Sequence, residues 1–156
     1  IATSLSNNLL YIATMQPFGK EALARINRHM EMRKDKGFES IDCYTNLDKL
    51  SCDRSYSAIL LECMSNLLAN ELYQENADTT FVTKKILQGI AQMNAQTQNL
   101  IIVSNDISAD INNYSVETID YIKKLGEINS QVGTIANVVV EVVCGIPIYH
   151  KGEKVW

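Results

Sequence analysis

The chain has 156 residues, 46% of them hydrophobic and 21% charged, which suits one domain able to bury a core. Its net charge of -4 gives no electrostatic footprint for nucleic acid, and no apolar run approaches the roughly 18 residues expected of a membrane span. Cys43, Cys52, Cys63 and Cys144 form no C-x-x-C pair and have no histidine at zinc-finger spacing, so they read as reduced thiols of a cytoplasmic protein.

In chain order, Ile1 to Ser6 followed by Asn7-Asn8 reads as the last turns and cap of a helix. Leu9 to Ala13 is a continuous apolar run without alternation, the pattern of a strand covered on both faces. Lys20 to Lys36 reads as a helix closed by Gly37 as its C′ residue, with Lys34 and Lys36 in the last turn, where cations suit the dipole. Ala58 to Leu61, Leu100 to Val103 and Val138 to Val143 repeat the buried-strand pattern. Between them, Ser65 to Glu75, Thr80 to Gln96 and Tyr114 to Ala136 read as helices, and Cys144 to Tyr149 as a final edge element, because Pro147 cannot donate to a ladder. Strands of this kind alternating with helices predict an α/β fold, a mostly parallel sheet flanked by helices on both faces, in a single domain spanning the chain.

Three places are suited to chemistry. On the first long helix, Ile26, His29 and Arg33 fall at i, i+3 and i+7, so an imidazole and a guanidinium share one side, beside Ala22 and Met30. The alternative is a partly exposed helix histidine with no role. Ile59-Leu60-Leu61-Glu62 is a strand ending in a carboxylate, which serves either a ligand at the sheet's carboxyl edge or the cap of the next helix. Ile102-Val103-Ser104-Asn105-Asp106 empties a strand into polar residues, which suits a ligand edge or a plain turn.

Taken in order, Leu10-Tyr11-Ile12-Ala13-Thr14, Ala24-Arg25-Ile26-Asn27-Arg28-His29, Ala58 to Cys63, Ile102 to Asp106, Gly126-Glu127-Ile128-Asn129 and Gly145-Ile146-Pro147 form a recognisable set. The set resembles the adenosylcobinamide kinase/adenosylcobinamide-phosphate guanylyltransferase family of cobalamin biosynthesis, from about Leu9 to Ile148. The resemblance implies a P-loop NTPase-like, RecA-type fold and a two-step transferase. Such an enzyme phosphorylates adenosylcobinamide, with GTP or ATP as donor, then transfers GMP from GTP through a histidine-GMP intermediate. On this resemblance His29 matches the guanylylated histidine. Thr14, Met15 and Gln16 match a nucleotide-contacting turn, Met30, Glu31, Met32 and Arg33 a second nucleotide segment, and Asp42, allowing a one-residue insertion, a carboxylate contacting guanine. Glu62 matches the acid ending a Walker-B-like strand and is expected to contact nucleotide and hold Mg²⁺. Arg28, Arg33 and Lys34 would offset phosphate charge. The family also implies a homo-oligomer, for which the valine-rich end and the Ile146 to Tyr149 edge offer a surface.

Two departures accompany the match. The P-loop pattern G-x-x-x-x-G-K-[ST] does not occur: Gly19-Lys20 is followed by Glu21 and has no Gly five residues earlier. The expectation is that this cradle lies upstream of Ile1, on the order of 20 residues for half a βα unit. After Asp106 the chain has Ser108-Ala109-Asp110 and Asn113 in place of a glycine turn, then Val116, Ile119 and Ile122 in place of arginines. That loss bears on the kinase half or the corrinoid contact and leaves open an alternative, a non-catalytic paralogue that binds nucleotide or corrinoid.

Overall fold

The structure is a computed structural model that describes residues 2–5, 8–75, 77–107 and 114–154. Strands β1 (Leu9–Ala13), β2 (Phe38–Asp42), β3 (Tyr56–Leu61) and β4 (Thr97–Ile102) form one parallel sheet in the order β2-β1-β3-β4. Leu9 pairs with Phe38 on one side and Ala58 on the other, so β1 is central. That position explains its unbroken apolar run, since both of its faces are covered. The edge strand β2, Phe-Glu-Ser-Ile-Asp, exposes Glu39, Ser40 and Asp42, and it was not expected because it carries no apolar run.

Helices cover both faces, as expected. Leu10, Ile12, Ile59 and Leu61 face α3 (Met64–Tyr73), α4 (Val82–Ala95) and α5 (Val116–Ile135), whose Leu67, Leu68, Ile86, Ile90, Met93, Leu125 and Ile128 complete the main core. Each such side chain, fully buried, stabilises the fold by roughly 1.5–3 kcal/mol. On the opposite face Leu9 and Ala58 pack with Ala2 of α1 (Ala2–Leu5), Phe38 and Ile101. There α2 (Gly19–Arg33) lies over Tyr11, with none of its residues fully buried. The connection from β1 to β2 thus runs over one face and that from β3 to β4 over the other. The direction in which successive strands are added to the sheet reverses between β1 and β3, the kind of place where open α/β sheets bind ligands at their carboxyl ends.

Three expectations need correction. The helix α2 ends at Arg33, with Lys34 as C-cap, so Lys34 and Lys36 lie beyond its last turn and Gly37 is not its C′ residue. Asp35 (φ 56°) and Gly37 (φ 72°) both take left-handed backbone in the turn into β2. The valine run, β5 (Val139–Val143), does not join the parallel sheet. It pairs antiparallel with β6 (Ile146–Lys151) in a two-stranded sheet, through a turn whose Cys144 and Gly145 both have positive φ. Met30 is exposed rather than on the inward side of α2. The other helices and strands match their expected positions to within two or three residues. Ser108 to Asn113, where the glycine turn was expected, lie outside the described residues.

Candidate functional site

The strand ends are tied together before any functional side chain is placed. Thr14 follows β1 and is fully buried: its N–H donates to Glu62 Oε2 at 3.1 Å and its hydroxyl to the Cys63 carbonyl at 2.9 Å. Asn70, on α3, donates to the Thr14 carbonyl at 2.8 Å and the Tyr44 carbonyl at 3.0 Å, using both hydrogens of its amide. One side chain therefore fixes the ends of β1 and β2 against the helix that follows β3. At the next strand, Ser104 donates to Asn129 Oδ1 at 2.6 Å and Asn129 Nδ2 to the Asn105 carbonyl at 3.1 Å, joining β4 to α5.

His29 reaches this edge from α2. The inward side of that helix is Ala22, Ile26, His29 and Arg33, each partly buried, which is the spacing the sequence predicts. His29 Nδ1 lies 2.6 Å from Glu62 Oε1, a charge-assisted hydrogen bond between residues 33 apart in sequence. The Glu62 side chain is 7% exposed and that of His29 35%. Nδ1 is thus the inner nitrogen, and Nε2 has no protein partner among the described residues. The Tyr11 hydroxyl sits 3.5 Å from Nδ1. Burial, reinforced by the Glu62 carboxylate, pushes the Tyr11 pKa up, so this hydroxyl stays protonated. The Arg33 guanidinium stacks 3.9 Å over the Tyr11 ring and its Nε donates to Ser40 Oγ at 3.2 Å.

The other expected site residues divide. Asp42 ends β2 at the same edge, exposed, beside the Tyr44 hydroxyl, whose pKa is raised by burial and by the Asp42 carboxylate. Met15 is buried and Gln16 exposed in the segment after Thr14. Met30, Glu31 and Met32 are exposed on the outer side of α2, and the structure does not bring them to His29. Ile122, one of the three residues noted as departures from the resemblance, is a buried residue of α5.

The arrangement turns one imidazole nitrogen outward at the carboxyl edge of the sheet, with the other anchored on a buried carboxylate. The family profile for cobinamide kinase/cobinamide phosphate guanyltransferase, CobU, matches residues 1–149. The chain belongs to this family. It is 28% identical to the bifunctional adenosylcobalamin biosynthesis protein CobU of Escherichia coli (strain K12) over 160 residues, covering 94% of this chain and 87% of that protein.

Glu62, the residue expected to hold Mg²⁺, has its Oε2 accepting the Thr14 N–H and its Oε1 against His29 Nδ1. Each of these oxygens keeps a further lone pair, so a single carboxylate ligand to Mg²⁺, completed by nucleotide phosphates, would fit here. Tyr11, Tyr44 and Asn70 were not singled out from sequence. Tyr11 had one available signal, a polar-tipped residue inside a buried strand, where the hydroxyl needs a partner. No described helix is long and apolar enough to cross a membrane.

Proposed function

We propose that this protein is a bifunctional transferase that phosphorylates adenosylcobinamide and then moves GMP from GTP onto the product through a His29-GMP intermediate, giving adenosylcobinamide-GDP. The observation that carries this reading is the His29 imidazole, open on its Nε2 side and held at the carboxyl edge of the parallel sheet. A nucleophile at that place can meet the α-phosphorus of a nucleotide, while Asp42 and the Thr14-Met15-Gln16 segment border the same edge. GTP, or ATP in the first step, is the nucleotide substrate. The working unit is a homo-oligomer in the cytoplasm.

The test supplies adenosylcobinamide, nucleotide and Mg²⁺, and follows both products by mass. His29→Ala is expected to lower GMP transfer by at least about 10³-fold while leaving phosphorylation of adenosylcobinamide within a few-fold. Transfer by His29→Ala at the wild-type rate would overturn the reading.

A second reading, binding of nucleotide or corrinoid without turnover, is favoured by Val116, Ile119 and Ile122 standing where the family has arginines. Calorimetric binding of GTP and cobinamide by a wild-type protein that makes neither product supports it.

A further inference from the structure

We propose that Glu62 is a positioning residue that holds His29 in its Nδ1–H tautomer, so that Nε2 is the nitrogen that takes the guanylyl group. The proposal rests on the guanylyl-transfer reading of His29 and adds to it a role and an atom. Glu62 is buried between two donors: its Oε1 faces His29 Nδ1 at 2.6 Å and its Oε2 accepts the Thr14 N–H at 3.1 Å. An ionised carboxylate only accepts, so the hydrogen on this side of the imidazole belongs to Nδ1, and the lone pair is left on Nε2. Thr14 cannot shift to release Glu62, because its hydroxyl and carbonyl are held by Cys63 and Asn70. The dyad therefore joins two strand ends to a helix that has no buried residue of its own, and it fixes where that helix presents its histidine.

The group transfer balances on these atoms. The Nε2 lone pair attacks the α-phosphorus of GTP, an N–P bond forms, and the P–O bond to pyrophosphate breaks, its electron pair leaving with pyrophosphate. The ring, still carrying the Nδ1 hydrogen, becomes cationic, and the Glu62 carboxylate offsets that charge at hydrogen-bond distance. A phosphate oxygen of the acceptor then attacks the same phosphorus, and the N–P pair returns to Nε2. No proton needs to move to or from Nδ1 in either step.

The variant Glu62→Gln tests this without changing the side chain's shape. The Thr14 N–H requires an acceptor, so the new amide keeps its oxygen there and turns its NH₂ toward His29. That forces Nδ1 to accept and puts the hydrogen on Nε2, the wrong tautomer for attack. Nitrogen-15 NMR of the imidazole in its neutral form, reached at the alkaline end of its titration, is expected to show Nδ1–H in the wild type and Nε2–H in Glu62→Gln. Label from α-labelled GTP at saturation is expected to form on the order of 10²-fold more slowly in the variant. In the wild type the phosphoramidate is expected on Nε2. An Nε2–H tautomer in the wild type, a phosphoramidate on Nδ1, or a variant that loses GTP affinity while labelling at the wild-type rate at saturation would each overturn the proposal. A wild type that takes no label refutes the guanylyl reading instead, and the tautomer measurement, which needs no nucleotide, still decides the positioning role.

Discussion

Tyr11 connects the sheet to the site through one side chain. Its ring meets Phe38 edge-on at 6.1 Å between centroids and carries the Arg33 guanidinium, while its hydroxyl stands beside His29 and Glu62. Its pKa is raised above the ordinary 10.0 by burial first and by the Glu62 carboxylate second. The folded protein therefore holds this proton at pH values where the unfolded chain has released it. The resulting stabilisation is fully present below pH 10 and is lost as pH rises beyond it. Urea midpoints measured from pH 8 to pH 11 are expected to fall less steeply for Tyr11→Phe than for the wild type, and parallel curves would contradict the assignment. His29 and Glu62 were legible in sequence because each ends or follows a recognisable run in a fixed order. Their mutual hydrogen bond was not, since nothing local relates positions 33 apart, and Asn70 read only as a polar residue on a helix whose apolar side carried the pattern.

At the level of elements, a turn and a close packing decide what the pattern left open. Helix α2 stops early because Asp35 takes a left-handed conformation before Gly37 does, so the strongest C-cap signal marked the second such residue of the turn and not the first. The helix α4 lies close against the 3₁₀ turn Leu47–Lys49, with Gly89 at the contact. A Cβ at Gly89 would come within 2.8 Å of the backbone of Leu47 and Asp48. Helix propensity alone favours alanine by about 1 kcal/mol, but overpacking against backbone costs about 1–3 kcal/mol, so the clash wins. Gly89→Ala is expected to lower the melting temperature, and an increase would show that the turn yields. The same turn is anchored by buried Glu71, which accepts the Asn46 N–H at 2.5 Å and pairs with Lys85 at 2.8 Å.

For the whole molecule, apolar runs marked β1, β3 and β4 of the parallel sheet but not its polar edge strand β2, and the order of motifs gave the family. The hairpin was misplaced because a valine run reads alike in a central strand and in a strand that leaves the sheet. On the hairpin, Val143, Ile146 and Ile148 share one face by register and are all exposed. Such a surface suits the proposed homo-oligomer. Sedimentation is expected to show the wild type above its 17.5 kDa monomer mass and an Ile146→Glu/Ile148→Glu variant shifted toward it. A wild type that sediments as a monomer would remove the oligomer from the account. The switch point between β1 and β3 remains the feature that organises the molecule, because His29 meets the carboxyl edge of the sheet there, next to the proposed nucleotide site. The most direct test incubates the protein with α-labelled GTP and Mg²⁺, then maps the bound label by peptide mass analysis at neutral pH. The account predicts an acid-labile GMP adduct on His29, discharged by adenosylcobinamide phosphate and missing from His29→Ala. A wild type without label, or equal label on His29→Ala, would contradict it.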